Sequence, residues 1–291
     1  LDLLSGSGIK TAQSASLYGD PMNKLTLFFT LFKPRVLVGF TKSPSVLNIS
    51  LAVITLLFLN ACSYSGGPTL KKCSDVCNGL VGYYPLFGSA VDESGNNHHG
   101  ELHNVTFVED REGNPERGAH FNGKSYISLP YLKNSNQKGS YSFVVIFKPD
   151  IIPDEPTEWP SFRVIGTPNY APGIHYRKNM KINFEGWNGK IGMKVFARKN
   201  SPGRYFHVVG VADVEKNHTL IYVNGTIKGS KNWEENAVAL AAKRFWNSNV
   251  LIGIGNPRDN IKPEALVGVI DEVRVYDRAL SSEEIYKIFE K

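Results

Sequence analysis

One carboxylate stands in the middle of a strand that the sequence predicts to be buried. Alternating apolar residues predict a strand over Val267–Tyr276, and the alternation puts Asp271 on the same side as alternate valines, the side expected to face the core. An isolated charge on that side is costly, so Asp271 needs a partner. The candidates are a calcium ion, backbone amides, or the guanidinium group of Arg274 or Arg278.

A loop earlier in the chain carries the oxygen donors that a calcium site would use. Asp92, Asn96 and Asn97 lie close together in sequence, and their side-chain oxygens are hard ligands of the kind that calcium prefers. With Asp271 they form the candidate metal set. We expect a calcium ion there to be structural, and the alternative is that Asp271 is satisfied within the protein.

The tryptophans are candidates for ligand binding, because sugars are commonly held against aromatic rings by a few directed polar groups. All four lie in or beside predicted loops: Trp159, Trp187, Trp233 and Trp246. Trp187 is the preferred platform, since Gly186 and Gly189 around it predict a tight turn with an exposed ring. Trp246 comes next. The alternative for each ring is packing over an edge of the fold.

Patterns for catalysis and for nucleic-acid binding are missing. The seven histidines include no HExxH spacing, and the chain has no GxSxG nucleophile elbow. The acidic clusters near Asp154 and Glu234 lie in Pro-rich or polar stretches that are typical of solvated surface. The formal net charge is +6, but half of that excess precedes Cys62 and no basic patch interleaved with aromatics follows it. We therefore expect no enzyme and no nucleic-acid partner.

A stretch of apolar residues predicts export. Val46–Leu59 is too short for a membrane span of about 20 residues, and its length suits the apolar part of a signal peptide. Ala61 directly before Cys62 resembles the lipobox of bacterial lipoproteins, which implies that Cys62 is lipidated. Residues 1–61 are then a leader that is removed or unfolded, with the true translation start downstream of residue 1. The alternatives are a buried core helix and an uncleaved anchor helix.

The region after Cys62 is predicted to be a flexible tether. Residues 62–78 are rich in Gly, Ser, Pro and Lys without periodicity, as a spacer for a lipid-anchored domain would be. Cys73 and Cys77 form an even pair in an oxidising compartment, and we expect them to be joined by a disulfide. Zinc is a weaker alternative, because no second ligand pair is nearby.

From Gly79 onward, short runs with period-two alternation are separated by Gly, Asn, Pro and Asp. They predict about a dozen strands, among them Phe162–Gly166, Ile174–Arg177 and Lys181–Glu185, and that number at this spacing indicates a sandwich. No repeat or change of composition divides residues 79–291, so they are predicted to be one domain.

Two local signals predict the details of connections. Asn224-Gly225 supplies the two residues that tolerate positive φ in a type I′ hairpin. Ser281 with Glu284 forms a capping box that predicts a short C-terminal helix, with Leu280 against Ile285 as a hydrophobic staple. We expect this helix to pack on the sandwich through Ile285, Ile288 and Phe289.

Four segments in this order resemble the laminin-G-like jelly rolls of the concanavalin-A-like lectin and glucanase superfamily. They are GLVGYYPLFGSAVDESGNNHHGEL, AHFNGKSYISLP to YSFVVIFKP, YFHVVGVADVEKNHTLIYVNG, and LIGIGN followed by VGVIDEVRVYDRALSSEEI. The resemblance covers nearly all of residues 79–291. It departs at Tyr205, where a Trp is usual, and at the Asp213–Asn217 turn.

The resemblance implies an all-β fold, a two-sheet antiparallel jelly-roll sandwich with a short C-terminal helix. It also implies glycan binding, and it carries a calcium site onto Asp92 and Asp271. The hydrolases of the superfamily place paired carboxylates on one strand as Glu-x-Asp-x-x-Glu, a pattern missing from this chain. We therefore expect a non-catalytic cell-envelope lipoprotein that binds carbohydrate. The alternatives are an adhesion module docking an envelope protein and, less favoured, a diverged glycoside hydrolase. Ser63 favours the outer membrane or cell surface.

Overall fold

The computed structural model describes residues 75–132, 139–154, 161–168, 172–187, 192–197, 200–234, 236–255 and 264–291. Their strands are β1 (Leu80–Tyr84), β2 (Glu101–His103), β3 (Thr106–Val108), β4 (Gly118–Asn122), β5 (Tyr126–Leu129), β6 (Tyr141–Pro149), β7 (Ser161–Gly166), β8 (Gly173–Arg177), β9 (Ile182–Trp187), β10 (Gly192–Ala197), β11 (Phe206–Asp213), β12 (His218–Val223), β13 (Thr226–Asn232), β14 (Val250–Ile252) and β15 (Val267–Tyr276). Their helices are α1 (Ala237–Trp246) and α2 (Ser282–Phe289).

The strands form two antiparallel sheets. Sheet I has eight strands in the order β13-β12-β11-β6-β15-β4-β3, with β1 also paired to β15. Sheet II has seven strands in the order β10-β9-β8-β7-β14-β5-β2. The predicted jelly-roll sandwich with a C-terminal helix is confirmed.

The core lies between the two sheets because alternate side chains of their strands are apolar. In β6, Tyr141, Phe143, Val145 and Phe147 point into this core and are buried. Sheet II contributes large inward-facing side chains such as Tyr176 and Phe184. Phe143 and Phe184 meet edge to face across the sandwich, with ring centroids 6.3 Å apart.

The local predictions for the hairpin and the terminal helix are confirmed. Asn224 and Gly225 have φ values of 49° and 70°, as the β12–β13 hairpin requires. At α2 the Ser281 side chain accepts from the Glu284 N–H, and the Glu284 carboxylate accepts from the Ser281 N–H. The helix packs on the outer face of sheet I, where Ile285 is completely buried.

A β-bulge at Asp271 changes the predicted pattern of β15. The pairing of β15 with β6 shifts between Ile270 and Glu272, so Asp271 is the extra residue on its strand. Ile270 faces the core before the bulge, and Val273 faces it afterwards. The predicted alternation through Asp271 is therefore wrong, because strict alternation does not allow for an inserted residue.

Helix α1 is formed by residues for which the sequence pattern predicts a loop. Its buried residues recur at helical spacing: Ala237, Val238, Ala241, Ala242, Phe245 and Trp246. Asn236 at its start makes no capping hydrogen bond through its side chain. The Val238 N–H instead donates to Oδ1 of Asn217, at 3.0 Å. The start of this helix is thus fixed by a residue on a distant turn, which no local pattern reveals.

The chain enters the domain beside its own C-terminal end. The carboxylate of Asp75 lies 2.8 Å from Nη1 of Arg274 and 3.1 Å from Nζ of Lys291. The Tyr276 hydroxyl donates to the Val76 carbonyl at 2.9 Å. The packed chain therefore includes residues ahead of the predicted boundary at Gly79. Among the described residues, no helix is both long and apolar enough to span a membrane.

Candidate functional site

The outer face of sheet II, which points away from the core, carries a line of polar side chains. On either side of them in sequence, inward-facing residues belong to the core: Phe162, Val164, Ile174, Tyr176, Ile182 and Phe184. Because side chains alternate along a strand, Arg163, His175 and Asn183 face outward. All three are nevertheless almost fully buried, with exposed fractions of 3%, 1% and 0%.

Strand register places these side chains next to one another. Arg163 in β7 is paired with His175 in β8, and His175 is paired with Asn183 in β9. Asn183 is paired in turn with Phe196 in β10. We name these four residues the polar row. Since neighbouring strands lie about 4.8 Å apart, the row is about 14 Å long.

The polar row holds hydrogen-bonding atoms that have no partner among the described residues. They are Nδ1 and Nε2 of His175, Nδ2 and Oδ1 of Asn183, and Nε of Arg163. A buried polar atom without a hydrogen bond costs about 1–3 kcal/mol, so proteins rarely keep several together. Asn183 is the extreme case, because its whole amide is buried and none of it is bonded. The row therefore keeps hydrogen-bonding atoms that are buried and that no described residue satisfies.

Two ion pairs balance the charges of the polar row. Arg163 donates to Oε2 of Glu264 at 2.9 Å. Arg177 donates to Oε2 of Glu185 at 2.8 Å, and because Arg177 and Glu185 lie on opposite sides of the His175–Asn183 pair, this ion pair crosses the row. The second oxygen of Glu185 lies 3.3 Å from Nε2 of His175, without the geometry of a hydrogen bond. Each of the two carboxylates thus has an arginine of its own.

The same surroundings set the ionisation of the site. Burial lowers the pKa of His175 to about 4, so the imidazole is neutral at pH 7. Burial opposes ionisation of Glu185, but the positive charges of His175, when it is protonated in acid, and of Arg177 outweigh burial and lower the pKa of Glu185 to about 2. The pKa of Glu264 is also lowered, because protonated His175 and Arg163 outweigh the effect of burial. Both carboxylates are therefore ionised at neutral pH.

Phe196 forms the accessible end of the polar row. Its side chain is 40% exposed, although Val195 and Ala197 on either side of it belong to the core. The Lys181 ammonium lies 5.2 Å from the centroid of its ring. An exposed aromatic ring beside buried hydrogen-bonding groups is the combination that binds an amphipathic ligand, with one apolar face and several polar groups.

The sequence matches a profile of the concanavalin A-like lectin/glucanases superfamily, of the laminin G type, over residues 121–286. That match spans more than half of the chain. The chain belongs to this superfamily. All four residues of the polar row lie within the matched region. No curated protein sequence matches the chain.

Solved structures similar to this concanavalin A-like domain include binding domains of other proteins. Domain 4 of AbnA, a GH43 extracellular arabinanase from Geobacillus stearothermophilus in complex with arabinotriose, is 21% identical with a TM-score of 0.52, covering 71% of this chain and 96% of that one. The botulinum neurotoxin serotype D binding domain is 15% identical with a TM-score of 0.55, covering 74% of this chain. The binding domain of Paraclostridial Mosquitocidal Protein 1 is 16% identical with a TM-score of 0.55, covering 72% of this chain. The chain spans 52% of each toxin domain.

The predicted calcium loop of this concanavalin A-like domain is held together by its own hydrogen bonds. Oδ1 of Asp92 accepts from the N–H groups of Tyr83 and Ser94, and Oδ2 accepts from that of His98, all at 2.9 Å. Nδ2 of Asn96 donates to backbone carbonyls of β1. Asn97 adopts a φ of 59°. The two buried oxygens of Asp92 are thus already occupied by backbone donors.

Asp271 has a partner that the sequence analysis did not name. Its Oδ2 accepts from Nη1 of Arg111 at 2.7 Å, and its Oδ1 accepts from the Arg111 N–H at 3.3 Å. Arg274 and Arg278 are paired elsewhere, with Glu272 and Glu284. Burial outweighs the attraction of Arg111 and raises the pKa of Asp271 to about 6.

The carboxylates of Asp92 and Asp271 accept hydrogen bonds from separate donors, which are backbone N–H groups for Asp92 and Arg111 for Asp271. Within the described ranges, no group of three or more His, Cys, Asp or Glu side chains is arranged to hold a metal ion. Calcium binding by Asp92, Asn96, Asn97 and Asp271 stays a prediction, and we derive no function from it.

The two tryptophans predicted to bind ligand have different outcomes. Trp246 lies on the buried face of α1, is 2% exposed, and donates from Nε1 to the Gly139 carbonyl at 3.1 Å. Its prediction as an exposed platform is wrong, because the helix turns the ring into the core beside Tyr141. Trp187 ends β9, and its side chain lies outside the described part of the structure, so its role stays a prediction.

The predictions for the cysteines mostly fall outside the described residues. Cys62 and Cys73 are among the residues that the structure does not describe, as is the apolar run Val46–Leu59. Cys77 is described and is disulfide-bonded. Lipidation of Cys62 and pairing of Cys73 with Cys77 stay predictions.

The polar row was not singled out by the sequence analysis, although its signal is present. In the predicted strands Ile174–Arg177 and Lys181–Glu185, His175 and Asn183 each lie between two apolar residues. Alternation therefore predicts that both face away from the core. What sequence cannot supply is the register that aligns them across strands, or their depth of burial.

Proposed function

We propose that this domain is a non-catalytic carbohydrate-binding module whose ligand contacts the polar row at its exposed end, Phe196. The observation that carries the proposal is the 40% exposed ring of Phe196 on the outer face of sheet II, beside buried polar residues of the next strands. Sugars match such a surface, because their hydroxyl groups both donate and accept while their C–H faces pack on aromatic rings. Similarity in fold to an arabinanase domain in complex with arabinotriose supports the same class of ligand.

Binding without catalysis is supported by the state of the two carboxylates beside the row. A retaining or inverting glycosidase needs one carboxylic acid whose pKa is raised, so that it can protonate the leaving group. Glu185 and Glu264 are paired with arginines, and the pKa of each is lowered. Neither would carry a proton at neutral pH. We expect no release of reducing sugar from any glycan that binds.

The test is a glycan array followed by calorimetric titration of each hit against the protein and two variants. Phe196→Ala should weaken binding about tenfold or more, since a sugar ring loses the aromatic surface against which it packs. The control is Asn232→Ala, which removes an exposed asparagine at the end of β13 in the other sheet and should leave affinity unchanged. Hits that both variants bind equally well, or an array without hits, would count against the proposal.

We also propose that the domain is displayed on the cell envelope through a lipid on Cys62, at the outer membrane or cell surface. The short apolar run Val46–Leu59 before Ala61 supports this, and so does the disulfide at Cys77, which requires an oxidising compartment. Metabolic labelling with a fatty-acid analogue should mark the protein, and Cys62→Ala should abolish the label. Label on the variant would contradict anchoring at this cysteine.

A further inference from the structure

A groove lies on the outer face of sheet I, beside the start of α2 and on the other sheet from Phe196. Two adjoining cavities of about 510 and 440 Å³ form it, and both are lined by Asp213, Lys216 and Ala279. We name the two cavities together the α2 groove. Each volume falls within the range of about 300–1,000 Å³ that is usual for ligand pockets. Lys216 is exposed and Ala279 half-buried, so a ligand can reach the groove from solvent.

The smaller cavity has an apolar floor, because strand register aligns outward-facing residues of β11 and β12. Leu220 in β12 is paired with Val211 in β11, and both line this cavity. Since Ile221 and Val223 face the core, Leu220 and Tyr222 point outward. Helix α2 packs on the same apolar cluster and leaves Leu220 only partly buried. Tyr222 is 7% exposed, yet its hydroxyl has no hydrogen-bond partner among the described residues, so it can donate to a ligand in the cavity.

The lysine and the arginine that line the α2 groove are already neutralised. Nζ of Lys216 lies 3.1 Å from Oδ2 of Asp213. Arg278 donates to both oxygens of Glu284, at 2.8 and 2.6 Å. An anionic ligand would have to separate one of these pairs, so the groove does not favour an anion.

Two carboxylates of the larger cavity have no such cation. Among the described residues, neither the Glu215 nor the Asp277 carboxylate forms an ion pair or a hydrogen bond with another residue. Burial raises the pKa of Asp277 above its ordinary value, and neither its own N–H nor the charge of Arg278 offsets that effect. Carboxylates that line a cavity without a compensating cation favour a ligand that brings a positive charge.

We infer that the α2 groove binds a polypeptide segment in which a lysine or an arginine lies next to apolar side chains. The cation pairs with Glu215 and Asp277 in the larger cavity, and the apolar side chains cover Leu220 in the smaller one. A polypeptide also supplies backbone carbonyls, one of which accepts from the Tyr222 hydroxyl. This inference goes beyond the proposed function, because it assigns a protein partner to the sheet that does not carry Phe196.

The test uses an array of capped pentapeptides that combine one lysine with apolar residues at every spacing, beside a matched array with glutamate in place of lysine. Calorimetric titration of each hit against the whole chain should show the lysine peptide binding about tenfold or more tightly than its glutamate counterpart. The double variant Glu215→Gln with Asp277→Asn should lose about tenfold in affinity for the lysine peptide. The matched control is Glu101→Gln with Glu112→Gln, which removes two carboxylates outside the groove whose side chains are 77% and 61% exposed.

Each outcome of these titrations bears on the groove and not on glycan binding. An array without hits, or equal affinity for lysine and glutamate peptides, overturns the inference. Equal affinity of the lysine peptides for the unmodified protein and the double variant overturns their location in the groove. Glu215→Gln alone changes an exposed residue and should weaken binding about threefold, which keeps the test available if the double variant does not fold. Phe196→Ala should bind the peptides as tightly as the unmodified protein, and a loss there would place them on sheet II instead.

Discussion

His175 in β8 and Asn183 in β9 are directly opposite each other on one face of sheet II, and neither side chain has a hydrogen-bond partner among the described residues. Two unbonded buried side chains in contact positions are difficult to explain as a contribution to stability, because each costs free energy. This relationship predicts that the two side chains lower the stability of the folded protein.

The first prediction concerns that loss of stability at Asn183. Replacement by Ala removes an amide that is desolvated without compensation, so Asn183→Ala should leave the free energy of unfolding unchanged or raise it by about 1 kcal/mol. Chemical denaturation measures this change. A loss of more than about 2 kcal/mol in stability would show that the amide is bonded in the native protein.

The second prediction concerns the aromatic end of the row. Phe196→Ala should weaken binding of the glycans that the domain recognises about tenfold, because a sugar ring loses its stacking surface. Stability should change little, since the ring is 40% exposed. The matched control is Phe87→Ala, which removes a ring that is 49% exposed on a loop after β1. Equal losses of affinity in both variants would point to a general effect of surface aromatics instead of a site on β10.

Several features of the fold follow from the sequence because their causes are local. The hairpin depends on two adjacent residues that accept positive φ, Asn224 and Gly225. The start of α2 depends on a reciprocal cap within four residues, between Ser281 and Glu284. The strand pattern likewise depends on neighbouring residues only. Such signals can be detected in a single sequence because they do not depend on residues elsewhere in the chain.

Other features were missed because their causes are distant in the chain. Helix α1 begins where Asn217 accepts from Val238, a contact made only after the fold has formed. The bulge at Asp271 is fixed by pairing with β6 and by Arg111. The polar row exists only through the register of four strands. Its members are ordinary strand residues in sequence, whereas Trp187 and Trp246 give the stronger sequence signal because each is an aromatic residue in or beside a predicted loop.

The third prediction distinguishes a loop held by hydrogen bonds to Asp92 from a loop held by a calcium ion. Asp92→Ala leaves three backbone N–H groups without an acceptor, those of Tyr83, Ser94 and His98. We expect a loss of about 3 kcal/mol or more in the free energy of unfolding, with no effect of a calcium chelator on the unmodified protein. Melting curves with and without chelator measure both.

The control for Asp92 is Asp154→Ala, which removes a carboxylate whose side chain is 79% exposed beside Lys178. An exposed ion pair contributes little, so this variant should lose less than about 1 kcal/mol. A clear drop in the melting temperature on chelation would show that calcium does contribute, and the sequence-based metal set of Asp92, Asn96, Asn97 and Asp271 would then be the first place to locate it.

The fourth prediction concerns acid stability and a second unbonded histidine. His207 in β11 lies under α2 with its ring centroid 5.6 Å from that of Phe289, and neither ring nitrogen has a hydrogen-bond partner among the described residues. Burial, and then the charges of Arg274 and Arg111, lower the pKa of His207 to about 4. An unfolded histidine has a pKa of about 6.5, so between these values the unfolded chain takes up the extra proton. As far as His207 is concerned, the free energy of unfolding is therefore highest above pH 6.5 and falls as the pH drops towards 4.

The contribution of His207 to this loss should be about 3 kcal/mol between pH 6.5 and pH 4. Asp271 acts in the opposite direction, because its raised pKa of about 6 makes the folded state gain stability as the pH falls through the same range. The informative quantity is therefore the difference between the protein and His207→Leu, which removes only the histidine. Denaturation at a series of pH values should show that the free energy of unfolding depends less on pH in this variant than in the unmodified protein. His207→Gln should show the same weaker dependence. Profiles that run parallel to that of the unmodified protein would show that His207 is not the group that titrates.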